Sequence, residues 1–171
     1  MKLSPAEVQG AFLRVRAGGR AYALPIGHVH SVFRVGAVTR VPLAPAWLAG
    51  LTNMRSLIMP VVCLARRFDP AAAICGAGAL AVVTGLEADA FALAVDDAEA
   101  VIAASPANLL DTPIHMDFEH AALTLGALRT GSTIIPVLDV PKIFDARRPV
   151  EPRRERPNEE AGAEHEASSR R

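Results

Sequence analysis

Two stretches of this chain occur twice, in the same order and at nearly the same spacing. AYALPIGHVHSV (Ala21–Val32) matches AFALAVDDAEAV (Ala90–Val101) at an offset of 69 positions. Ala21/Ala90, Ala23/Ala92, Leu24/Leu93 and Val32/Val101 are identical, and Tyr22/Phe91 and Ile26/Val95 are close. IMPVVCLARRF (Ile58–Phe68) matches IIPVLDVPKIF (Ile134–Phe144) at an offset of 76, with Ile58/Ile134, Pro60/Pro136, Val61/Val137 and Phe68/Phe144 identical. One such match is weak in an alanine-rich chain; two in series imply two similar halves, about 11–68 and 79–144. A half of about sixty residues buries too little of its surface to be comfortably stable alone. The halves therefore pack together, or exchange strands, to build one joint core.

The local pattern is mostly strand. Phe12–Arg16, Gly18-Gly19 and Arg20–Leu24 read as a hairpin, because a Gly-Gly pair supplies positive φ cheaply. Leu80–Thr84 with Phe91–Val95 around Gly85–Asp89, and Leu123–Leu128 with Ser132–Leu138, read as two more. Leu57–Cys63 and Ile134–Leu138 are apolar runs that contain Pro60 and Pro136. Proline cannot donate to a ladder, so each strand is an edge or is bulged there. Short helical turns fit Ile26–His30, Ala46–Ala49, Leu64–Phe68 and Val140–Phe144. Short strands punctuated by Gly and Pro predict a mainly β fold of small barrels rather than a parallel sheet.

Composition sets the limits of this body. Apolar residues make up 51% of the 171, which excludes disorder of the whole chain. From Arg147 to Arg171 there are seven Arg, six Glu and three Pro, with Val150 as the one sizeable apolar residue. That segment cannot offset its ordering entropy by burial and reads as a disordered charged tail. The organisation expected is an N-terminal segment 1–10, a folded body 11–146 and the tail 147–171. Lys+Arg and Asp+Glu are equal at 18, so the basic excess of a nucleic-acid binder is missing. No apolar stretch follows Lys2, and the uncharged run Pro70–Leu86 is short and broken by Gly76, Gly78 and Gly85. Neither a leader nor a spanning helix is read, and a cytoplasmic protein without membrane insertion is expected.

Signatures of catalysis fail. There is no G-x-S-x-G elbow and no phosphate-binding G-x-x-x-x-G-K-[ST] loop. Gly76-Ala77-Gly78 with Ala81 mimics a dinucleotide fingerprint but precedes a strand instead of opening a helix. His28 and His30 lack further ligands at metal spacing, and Cys63 and Cys75 are too few for a secreted disulfide framework. His115, Asp117, Glu119 and His120 form the one polar cluster able to hold a small ligand or do acid–base work; the plainer reading is a solvated loop. No enzyme, metal or cofactor is expected. Trp47, the sole tryptophan, is either an interface anchor or a core plug. Arg55 sits in Asn53-Met54-Arg55-Ser56 between two apolar runs, the composition of a protein-contact hot spot and equally that of an ordinary hairpin tip.

The string Gly50-Leu51-Thr52-Asn53-Met54-Arg55-Ser56-Leu57-Ile58-Met59-Pro60-Val61-Val62-Cys63-Leu64 resembles the signature of CheW-like domains. In that family a G-x-x-N-[LM]-R-G turn leads into an apolar strand containing proline and then Asp-Leu. Tyr22-Ala-Leu-Pro-Ile, Val29, Val41-Pro42 with Pro45, Val95-Asp96 and Ile135–Val140 are similar to the family pattern too, so the resemblance covers about 11–144. It implies two small five-stranded β-barrel subdomains sharing a hydrophobic core. It also implies a non-catalytic adaptor that couples chemoreceptors to a CheA-type histidine kinase, in chemotaxis or pilus-type signalling. The partners implied are the kinase's regulatory domain, itself CheW-like, and the cytoplasmic tip of a receptor coiled coil. By motif position Val29, Gly50, Asn53 and Arg55 belong to the receptor face. Three positions depart from the pattern: Ser56 replaces a glycine, Cys63 an aspartate, and Ser31 a common acidic residue. They keep a second reading open, an adaptor that docks on the kinase but has lost its receptor.

Overall fold

Twelve strands carry the architecture. The computed structural model describes residues 10–85, 90–111 and 118–145, apart from the side chains of Phe118 and Glu119. The tail 147–171, residues 1–9, residues 86–89, His115 and Asp117 lie outside the described residues. The strands are β1 (Ala11–Ala17), β2 (Arg20–Pro25), β3 (Val29–Arg34), β4 (Val38–Thr39), β5 (Leu48–Met54), β6 (Leu57–Cys63), β7 (Leu80–Thr84), β8 (Phe91–Val95), β9 (Asp97–Ala103), β10 (Leu109–Leu110), β11 (Thr124–Thr130) and β12 (Thr133–Leu138). Three single-turn helices interrupt them: α1 (Leu64–Phe68), α2 (Phe118–Ala122) and α3 (Val140–Ile143). The expected hairpins are present. Gly18 and Gly19, at φ 57° and 74°, turn β1 into β2 with Ala17 opposite Arg20. Ala46–Ala49 is not helical: one turn closed by Leu48 N–H on the Pro45 carbonyl (2.9 Å) hands over directly to β5. Trp47, still in the turn, enters the joint core, and Ala49 of β5 enters the smaller core of its own sheet.

The strands form two six-stranded sheets, ordered β10-β11-β12-β2-β1-β9 and β3-β7-β8-β6-β5-β4. Each has one strand more than expected, because the two-residue β4 and β10 join as outer strands. The sheets do not follow the sequence halves. β1 and β2 pair with strands of the second half, and β7 and β8 with strands of the first. Of the two arrangements left open by the repeat, strand exchange is the one found. Interchanging β1 and β2 with β7 and β8, and β3–β6 with β9–β12, turns one sheet order into the other. The junctions correspond as well: parallel pairing joins Val61 to Ala92 in one sheet and Val137 to Ala23 in the other.

Strand alternation explains which residues the repeat retains. Tyr22 and Leu24 of β2, and Phe91 and Leu93 of β8, face a joint core between the sheets. Ala23 and Ala92, one residue along, face the opposite way into a separate small core inside each curled sheet. Side chains alternate across a strand, so a sheet packed on both faces must read as continuous apolar sequence. Pro60 and Pro136 obey the edge rule locally. β6 lies inside its sheet, but β8 pairs only from Val61 to Cys63, so Pro60 has β5 as its single ladder partner.

Arg67 stands where the repeat places Ile143, and these two equivalent positions meet. The guanidinium is 2% exposed, donates from Nε to the Ile143 carbonyl (3.0 Å) and from an Nη to the Lys142 carbonyl (3.5 Å), and lies 5.1 Å over the Trp47 ring. The Ile143 carbonyl at the end of α3 thereby gains a partner. Arg67→Ala is expected to destabilise the chain by about 3 kcal/mol through an orphaned carbonyl and a void. Urea unfolding followed by Trp47 fluorescence measures it, and a loss under about 1 kcal/mol contradicts this role.

Candidate partner-binding site

The β5–β6 hairpin carries three of the four residues that the family pattern assigns to receptor contact. Its two-residue loop is Arg55-Ser56, between the pair Met54 and Leu57. Both loop residues have positive φ, 49° and 70°, the requirement of a type I′ turn. The loop therefore keeps its shape without glycine, at the steric strain that a left-handed residue with a Cβ carries. The equivalent β11–β12 loop is Gly131-Ser132, with glycine at φ 60° in the first place. Arg55 is held at the tip and exposed, above exposed Leu57 (55%) and Ile58 (69%). Asn53, also exposed, stands across from Ile58.

Gly50 lies inside a bulge at the far end of β5, about 16 Å from Arg55 at the rise of a strand. Its φ is 145°, and a Cβ there would stand 2.2 Å from the Thr39 carbonyl oxygen. Gly50 thus lets β4 lie against β5. Gly126 occupies the matching bulge of β11 at φ 158°. Val29 is elsewhere. It opens β3 after the 3-10 turn Ile26–His28, half-buried against the joint core. β7, β8 and β6 separate β3 from β5, about 19 Å along the sheet. Asn53 and Arg55 form one tip, and Val29 belongs to a different edge.

Trp47 is 3% exposed, set edge-on to Phe144 at 6.3 Å beneath Arg67. It is a core plug, and in this conformation its indole has no surface to offer a partner. His120 is also buried, stacked on Phe68 at 4.4 Å, and Phe68 stacks on Tyr22 at 4.9 Å. The repeat equivalents Phe144 and Phe91 stack at 5.2 Å. His120 therefore belongs to an aromatic stack of the joint core and does not face a polar pocket. His30 Nε2 meets the Gly85 carbonyl at 2.8 Å and serves to hold β3 to the end of β7.

Two pairs of exposed apolar residues were passed over in the sequence. Ile58 and Ile134 project from β6 and β12, and Val32 and Val101 from β3 and β9, the strands at one edge of each sheet. The signal was present: all four are identical repeat positions, and alternation from their buried neighbours turns them outward.

At the other end of β6 the Cys63 thiol donates to the Ala73 carbonyl oxygen at 3.6 Å. The Cys75 side chain, with the backbone N–H groups of Arg66 and Cys75 and the Arg66 charge, outweighs burial and lowers the Cys63 thiol to about 6. The same contact, reinforced by burial, pushes the Cys75 thiol up.

The family model of the CheW-like domain matches residues 11–148. This chain belongs to that family. Among curated relatives, a chemotaxis protein CheW of Treponema pallidum is 28% identical over 134 residues, spanning 76% of this chain and 79% of its own. A chemotaxis protein CheW of Rhizobium meliloti is 25% identical over 130 residues, spanning 75% and 83%. The crystal structure of the scaffolding protein TtCheW from Thermoanaerobacter tengcongensis superposes with a TM-score of 0.70 at 22% identity. It covers 80% of this chain and 93% of that one, which establishes the shared fold.

Two substitutions separate turn shape from side-chain contact. Ser56→Gly removes a Cβ from a left-handed position and is expected to raise stability by about 1 kcal/mol. Gly50→Ala forces β4 away and is expected to lower it by about 3 kcal/mol or more. Both are read from thermal or urea unfolding; an unchanged Gly50→Ala midpoint rejects the close approach of Thr39.

Proposed function

We propose that this chain is a non-catalytic adaptor that couples chemoreceptors to a CheA-type histidine kinase. Membership of the CheW-like family across the whole β body carries this reading. The physical layout supports it. An adaptor must hold two partners at once, and this chain has two sheets of one topology with different side chains at equivalent surfaces. Beside Ile58 stands Asn53 next to the Arg55 tip; beside Ile134 stands Arg129 next to Gly131. Ladder groups left open at β3 and β9 suit the addition of a partner strand, and Val32 and Val101 beside them supply apolar anchors. A kinase regulatory domain of the same fold is the fitting occupant for such edges. The receptor tip is assigned to Val29, Asn53 and Arg55, with Gly50 shaping the strand beneath. The chain acts in the cytoplasm beside the receptor array. No helix among the described residues is long and apolar enough to cross a membrane.

The reading in which receptor binding is lost rests on Ser56, Cys63 and Ser31. The first of these leaves both turn residues at positive φ, so Arg55 is still presented, which favours coupling to both partners.

Titration of the purified chain against a receptor-tip fragment, and separately against the kinase regulatory domain, tests the proposal. Arg55→Ala is expected to weaken the receptor contact about tenfold and to leave kinase affinity unchanged. Kinase binding without receptor binding installs the second reading, and binding to neither removes the adaptor role.

A further inference from the structure

We propose that a second copy of this chain is a partner, joined by exchange of halves: residues 11–68 of one copy fold onto residues 79–144 of the other, and 69–78 open as the hinge. The inference rests on topology and is independent of the coupling role. Four of the ten strand pairings run between the halves: β1 with β9, β2 with β12, β3 with β7, and β6 with β8. The joint core and the bond from Arg67 to the Ile143 carbonyl are half-to-half contacts as well. Neither half owns a whole sheet, and the one covalent tie between them is the segment 69–78. Nothing in these contacts requires that both halves belong to one chain.

The hinge is held lightly. Asp69 leaves α1 with extended backbone (φ −133°, ψ 103°), the conformation favoured before a proline. The chain then turns back through Ala72 N–H on the Asp69 carbonyl and Ala71 N–H on the Asp69 carboxylate, both at 2.9 Å. Arg66 donates to the Pro70 carbonyl at 3.2 Å, and the Cys63 thiol to the Ala73 carbonyl at 3.6 Å. Asp69, Pro70 and Ala71 are exposed, so opening passes their polar groups to water at small net cost. Gly78 and Ala79, bonded to Val35 at 2.7 and 2.9 Å, travel with the second half, as β7 does. Ten residues fully extended reach roughly 35 Å, about the diameter of a body of this size. Two such hinges side by side can join two complete bodies.

Each body of the exchanged dimer repeats the contacts of the monomer. The two forms differ in the hinge turn and in the entropy of joining two chains. A flexible hinge of this length holds the halves of one chain at a mutual concentration of roughly millimolar. The monomer therefore prevails in dilute solution, and the dimer forms when chains fold at a comparable concentration. Once formed it is trapped, because release breaks four ladders and the joint core together. Such a dimer carries two Arg55 tips and two of each open sheet edge on one inseparable unit.

The test places a reporter on a half-to-half ladder. Arg16 and Asp97 stand opposite each other on β1 and β9, and both are exposed. Arg16→Cys with Asp97→Cys closes a disulfide within one chain in the monomer and between two chains in an exchanged dimer. An ordinary dimer leaves its chains unlinked. The full chain with this pair is refolded from urea at about 10 μM and about 1 mM, oxidised, and compared with chains carrying either cysteine alone. The expected result is a dimer in size-exclusion chromatography whose fraction rises about fivefold or more at the higher concentration. It persists for hours after dilution, and its chains separate on a denaturing gel only after reduction. Removal of 70–77 takes away the turn and the slack that closure uses, and is expected to make the dimer the main form at both concentrations. Should the shortened chain fail to fold, the full-length pair decides. A monomer at both concentrations, a dimer whose chains separate without reductant, links formed equally by either cysteine alone, or a shortened chain that stays a folded monomer each overturn the proposal.

Discussion

The hydrogen bond from Arg67 to the Ile143 carbonyl sits where the two halves of the chain are most nearly symmetric. Equivalent positions of a two-fold repeat touch only close to the axis that relates them. A guanidinium at such a place has one useful role: it turns α1 toward the carbonyl end of α3 and fixes the two sheets relative to each other. Trp47, Phe144 and Phe91 are layered around it, and Tyr22, Phe68 and His120 form the matching stack of the other half. A buried charge is tolerated because its donors meet carbonyls and its face meets an aromatic ring.

From this joint core the rest of the architecture follows. Each sheet is apolar on both faces, so neither can be solvated on one side as an ordinary antiparallel sheet is. The exchange of β1–β2 for β7–β8 gives each sheet a strand pair from the other half. Separating the halves would break the parallel junctions at Val61 and Val137 together with the core. Coupling of that kind makes two small sheets behave as one folding unit, although each alone is below a comfortable size.

The surface left over is what an adaptor uses. The Arg55-Ser56 loop shows why a motif can lose its glycine and keep its geometry: a β-hairpin with a well-paired stem imposes the turn, and the loop residues bear the strain. At Gly50 the glycine itself is required, because a Cβ there would meet the Thr39 carbonyl oxygen.

Much of this was legible from residue order alone. The repeat specified two equivalent units and a common core, the Gly-Gly and Gly85 signals specified hairpins, and Leu64–Phe68 and Val140–Phe144 read correctly as helical turns. Those features rest on local chemistry: φ preferences, alternation, and the missing N–H of proline. What tertiary structure decided is everything that depends on which distant strand lies alongside. It selected strand exchange over simple packing. It sent Trp47 inward, turned His120 onto Phe68, and added β4 and β10 to the sheets. None of these has a periodic or short-range signal, because each arises from pairing across dozens of residues, and only the joint core determines which pairings survive.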